Sequence, residues 1–115
     1  MKVTYMSKDS KFVVELEGKS QTDIFQQIAS FQEVFEADEH CGRCNSEKHK
    51  VRFVVRTVED NDFYELQCQN PACRAKLAFG VNKKGGTLFP KRFEDGKIKG
   101  KNGWTKFNRE TGKEE

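Results

Sequence analysis

The sequence predicts an α+β fold, a small antiparallel sheet with one packed amphipathic helix, and three observations predict it. One stretch, SQTDIFQQIASFQEVFEADEH at residues 20–40, carries apolar residues at helical spacing. The remainder alternates short runs of β-branched and aromatic residues with turn formers, the pattern of strands joined by hairpins. Four cysteines stand in two close pairs at the ends of two such runs, which would draw distant parts of the chain to one point. A length of 115 residues suits one domain. We expect a single unit over residues 1–110 and a polar tail at 111–115.

In chain order, VTYM and KFVVEL read as two short strands, the second ending at a Glu17-Gly18 turn, and together they suit a hairpin. In the helical stretch Ile24, Ile28, Phe31 and Phe35 recur at spacings of four, three and four, and Phe25 and Val34 widen the stripe. Ser20 or Thr22 can cap its start, and Asp23 suits the positive end of the helix dipole. We read the aromatic stripe as the helix's own core face rather than as a partner-binding surface, because a single helix on a small sheet needs such a face.

Next, CGRCNSEKHKVRFVVRTVED leads into DFYELQC around a turn at Asp60-Asn61-Asp62. The first cysteine pair precedes one of these strands and the second begins at the end of the other, so antiparallel pairing brings all four sulfurs together. A tetrahedral zinc ion needs four ligands about 2.3 Å away, and two tight turns supply two sulfurs each. We therefore expect one structural Zn2+ held by Cys41, Cys44, Cys68 and Cys73 in a zinc ribbon. Asn45 tolerates the left-handed backbone of such turns, and Pro71 can stiffen the longer Gln69–Ala72 loop. A redox dithiol at CGRC alone leaves the second pair without a role. His40 and His49 flank the first pair and are read as surface residues, either being able to replace a cysteine in a three-plus-one site.

Composition sets the class. Hydrophobic residues at 35% and charged residues at 34% limit the apolar surface that a small chain can bury, and a metal staple offsets that. No apolar run approaches the roughly 20 residues that span a bilayer, and MKVTYMSKDSKF lacks the apolar core of a signal peptide. A cytoplasmic protein with no membrane partner is expected, and in a reducing compartment paired cysteines read as metal ligands. Four protein thiolates leave no open coordination position, and neither a catalytic triad nor a phosphate-binding glycine loop is present, so an enzyme is not expected.

The net charge of +3 conceals an uneven distribution. Residues 1–40 carry four Lys against eight acids, and residues 41–73 balance five against five. Residues 74–113 carry twelve Lys and Arg against three acids, a local charge of +9 and an electrostatic footprint for a polyanion. Glycines and Pro90 break this segment into hairpins with turns at Lys84-Gly85-Gly86, Asp95-Gly96 and Asn102-Gly103, which argues against a membrane-surface helix. Lys76, Lys83, Lys84, Lys91, Arg92, Lys97, Lys99, Lys101 and Lys106 can neutralise phosphates, while Phe79, Phe89, Phe93, Trp104 and Phe107 offer flat faces for bases. Trp104 is the foremost stacking candidate.

Finally, YELQC, CRAKLAFG, KKGGTLFPKR and NGWTKFN, over roughly residues 63–108, resemble a group of small phage-encoded zinc-ribbon proteins. The helix followed by CGRC is similar to that group's N-terminal half. The second cysteine pair departs from the group's closer C-x-x-C spacing. The resemblance implies a setting in phage replication and recombination, with single-stranded DNA ahead of RNA as the substrate and a phage recombination or replication protein as a neighbour. A zinc-stabilised, sequence-nonspecific single-strand binder is thus expected. The competing expectation is a protein-interaction adaptor that presents an acidic patch of Glu33, Glu36, Asp38 and Glu39 to a replication, recombination or host-defence protein.

Overall fold

The computed structural model describes residues 1–8, 10–38, 40–44 and 51–115. The chain divides into two compact units, Met1–Ala37 and Asp38–Glu115, where the sequence reading expected one domain. Its fold is α+β, with antiparallel strand pairs and one α-helix among the described residues.

In the first unit, β1 (Lys2–Met6) pairs with β2 (Val13–Glu17), setting Val3 opposite Leu16 and Tyr5 opposite Val14. The period of two leaves these four half-buried and their neighbours exposed. The helix α1 (Gln21–Phe31) starts at Ser20, whose Oγ accepts from the Asp23 amide at 3.2 Å. The Asp23 carboxylate accepts from the Lys19 amide at 3.0 Å, so two backbone donors near the helix start are satisfied reciprocally. Ile24 and Val34 are buried, whereas Phe25 is 75% exposed and lies outside the stripe to which the sequence assigned it. A helix this short covers only a two-stranded hairpin, so one turn beyond the buried line already faces water.

Beyond Phe31 the helix widens to a π-turn over Gln32–Glu36. The wider turn coincides with a cluster in which the Phe12 ring meets Phe31 and Phe35 with centroids 5.7 Å away in each case. It also lets Glu36 accept from the Tyr5 hydroxyl at 2.6 Å and from the Lys8 amide at 2.7 Å.

The second unit is built on β3 (Val51–Val58), β4 (Asn61–Cys68), β5 (Lys76–Val81) and β6 (Leu88–Pro90), antiparallel in that spatial order. The short ribbon of β7 (Phe93–Glu94) and β8 (Lys97–Ile98) follows, and β9 (Trp104–Thr105) then returns to pair with the start of β5. The β3–β4 turn is centred on Glu59 and Asp60, at φ 50° and 66°, slightly earlier than the sequence indicated. Two successive left-handed residues match the twist of a tight hairpin.

The core lies on one sheet face, where the register aligns Leu66, Leu77 and Trp104 in one row and Tyr64, Phe79 and Pro90 in the next. Leu66 is 1% exposed, and Leu77 and Trp104 are fully buried. Residues 111–115 are not a tail, because β11 (Lys113–Glu114) pairs with β10 (Phe107–Asn108). The Glu115 and Lys106 backbones also exchange hydrogen bonds at 2.9 Å. Backbone pairing there does not depend on apolar side chains, which is why a polar composition concealed it.

Candidate metal centre and sheet face

The chain enters the second unit through Cys41-Gly42-Arg43-Cys44, which precedes β3, and the other pair spans the turn between β4 and β5. In each turn an amide two residues on points back at the first sulfur, Arg43 N to Cys41 Sγ at 3.3 Å and Asn70 N to Cys68 Sγ at 3.4 Å. The Asn70 side-chain amide approaches Cys44 Sγ at 3.9 Å. Amide donors stabilise thiolate charge, so these loops are built for ionised sulfur.

All four Sγ atoms lie within 4.8 Å of one another, and none is in a disulfide. Cys41 and Cys73 are 3.7 Å apart and Cys44 and Cys68 are 3.6 Å apart. Four sulfurs about 2.3 Å from a central ion in a tetrahedron stand about 3.8 Å apart, so the cluster has the dimensions of a four-thiolate metal site. Burial drives the Cys41 thiol above its ordinary range and pushes Cys68 up to about 12, since a lone thiolate in that spot lacks water. Only a cation between the sulfurs reverses that preference.

The longer second loop is closed by Asn70. Its Oδ1 accepts from the Ala72 amide at 3.0 Å, and its carbonyl accepts from the amides of Cys73 and Arg74, each at 3.0 Å. Arg74 then takes a left-handed φ of 57°, and the Cys68 amide bonds the Ala75 carbonyl at 2.9 Å. The sequence reading credited Pro71 with stiffening this loop; its hydrogen bonds run through Asn70. His40 is exposed and outside the sulfur cluster, while Asn45 and His49 lie outside the described residues.

Several residues assigned to a nucleic-acid surface turn out to be structural. Trp104 has no exposed surface: its Nε1 donates to Asp38 Oδ1 at 3.1 Å, and its indole packs where a Cβ on Gly42 would have to sit. It supports the first cysteine turn and presents no face to a base. Phe79 is 7% exposed and belongs to the core rows. Arg92 donates to the other oxygen of Asp38 at 2.6 Å, both side chains being mostly buried. Lys76 is paired with Glu114 at 3.0 Å, and Lys106 Nζ donates to the Ala72 carbonyl at 3.1 Å. Lys83, Lys84, Lys91 and Phe89 are exposed.

The acidic patch is likewise spent in part on structure, since Glu36 holds Tyr5 and Lys8, and Asp38 holds Arg92 and Trp104. Glu39 lies outside the described residues.

The sheet face opposite the core carries residues that the sequence reading passed over. The register sets Arg56 opposite Phe63 and Gly80 opposite Phe89, and Phe63 and Gly80 each lie one residue beyond the Tyr64–Phe79 pair. Phe63 and Phe89 are 44% and 38% exposed. The Phe89 ring lies where a Gly80 side chain would begin, so the glycine lets that ring settle onto the sheet. The Arg56 guanidinium carbon is 5.2 Å from the Phe63 ring centre, and Arg56 also reaches Glu65 at 3.6 Å. Arg52 is exposed two positions along the same strand face from Val54, and the Lys91 amide bonds Ala78, continuing the pairing beyond β6. Arg52, Arg56 and Phe63 sit in the charge-neutral third of the sequence, where a count of net charge gives no signal; pairing the two strands about their turn would have found them.

No helix among the described residues is long and apolar enough to cross a membrane. Compared with protein-family models, curated proteins and solved structures, the chain matches none.

Proposed function

We propose that this chain is a zinc-stabilised protein that binds single-stranded nucleic acid on the outer face of its main sheet, without reading sequence. The observation that carries the reading is the row Arg56, Phe63, Gly80, Phe89, two exposed rings flanking a glycine, with Arg56 at one end and Lys91 two residues along the chain from Phe89. Exposed rings on a sheet face suit the flat faces of unstacked bases in a single strand rather than a closed duplex. Arg52 and Lys91, with Lys83 and Lys84 in the β5–β6 turn, supply phosphate contacts around the rings, while Arg56 is held by Glu65. Zinc is the natural occupant of a closed four-thiolate tetrahedron, where it is structural, and the two cysteine turns at the sheet end then form a zinc ribbon. On the resemblance noted above, the strand is DNA and the setting is phage replication or recombination.

Fluorescence anisotropy with labelled single-stranded and duplex oligonucleotides at two salt concentrations tests the reading. Preference for single strands, weakening steeply with salt, is expected. Phe63→Ala with Phe89→Ala should weaken binding about tenfold or more, from the roughly 1–3 kcal/mol that each stacked base contributes. Binding that is absent, or equal for the double variant, would sink it.

A further inference from the structure

A second candidate site lies away from that face. A cleft of about 550 Å³ is lined by Arg43 of the first cysteine turn and by Lys106, Phe107, Asn108, Arg109, Glu110 and Glu115 of the β10–β11 ribbon. Its volume falls within the roughly 300–1,000 Å³ of small-molecule sites. Phe107 is 58% exposed there, and neither Arg43 nor Arg109 has a carboxylate partner among the described residues. Lys106 and Asn108 are committed to the protein, Lys106 through Ala72 and Asn108 through Glu115 and the Glu110 amide. The free recognition groups are therefore two guanidiniums and one aromatic face.

We propose that this cleft binds a nucleotide bearing a phosphomonoester, its phosphate on Arg43 and Arg109 and its base on Phe107. Planar guanidiniums match phosphate oxygens two at a time, and a monoester carries up to twice the charge of an internal diester. Two sources supply that chemistry, a free mononucleotide and the phosphorylated end of a strand. We assign the second, which rests on the single-strand reading above and makes the cleft an end-recognition site.

Anisotropy titrations with one oligonucleotide in 5′-phosphate, 3′-phosphate and hydroxyl-ended forms test this, alongside calorimetry with adenosine monophosphate and with inorganic phosphate. One phosphorylated end should bind about tenfold tighter than the hydroxyl form. Arg109→Gln should erase that difference while leaving the hydroxyl form bound as before. Arg43→Gln should do the same and serves as a second reading if its cysteine turn stays metal-loaded. Adenosine monophosphate should bind more tightly than inorganic phosphate, and Phe107→Ala should remove that margin. Equal affinity for all three ends, with no heat from the mononucleotide, would overturn the site. Heat from the mononucleotide without any end preference would overturn the end assignment. If the chain bound no oligonucleotide of any kind, the single-strand reading and the end assignment would fall together, and mononucleotide calorimetry alone would decide the cleft.

Discussion

Single atoms decide much at the cysteine cluster. Gly42 follows Cys41 in the first cysteine turn with the Trp104 indole pressed against it, leaving no room for a methyl group. Gly42→Ala should cost about 1–3 kcal/mol through overpacking, read as a lower denaturant midpoint with unchanged slope. The thiols carry a pH signature as well. With no ion between them, Cys68 holds its proton up to about 12 in the fold, against an ordinary value of 9.0. The folded metal-free chain therefore binds more protons than the unfolded chain between those values. Its stability is fully present below pH 9 and should fall as pH rises toward 12, whereas the metal-loaded form has no such proton to lose. Parallel denaturation series of the two forms from pH 8 to 11 check this, and a constant gap between them would contradict it.

At the scale of elements, the helix start and the β3–β4–β5 surface show which local rules carry through. Ser20 caps α1, and Ser20→Ala should destabilise the chain by about 1 kcal/mol in thermal or chemical unfolding. That cap was legible, because a Ser followed three residues later by Asp at the start of an apolar stripe is a local signal. The cysteine cluster was legible for a similar reason: the two pairs flank strands whose pairing follows from their turn. The direction in which each aromatic points was less so. Alternation in a strand says that Phe63 and Tyr64 face opposite sides, but not which side the rest of the chain covers. Glycine decided the outcome for Phe89, since only a residue without a side chain at position 80 lets that ring settle on the sheet.

For the whole molecule, metal binding should add strongly to the stability of the unit Asp38–Glu115, whose paired cysteines lie 24 and 32 residues apart in the chain. Closing such loops carries a large entropic cost that four metal bonds offset. Elemental analysis should find one zinc per chain, and a strong chelator should sharply lower the melting temperature of this unit while leaving a metal-free fold to unfold. An unchanged melting temperature after complete metal removal would show the cluster to be dispensable.

The sequence by itself determined the α+β class, the helix and its cap, the β-hairpins and the four cysteines that come together. Each follows from periodicity, turn chemistry or spacing, which act over a few residues. Only the tertiary structure decided the fate of the basic, aromatic segment. Trp104 and Arg92 share the carboxylate of Asp38, 66 and 54 residues away, and that link turned the foremost stacking residue and an expected phosphate contact into supports for the first cysteine turn. An aromatic ring and a cation suit a solvated surface and a buried network equally well. Which one they occupy depends on partners that no local pattern names.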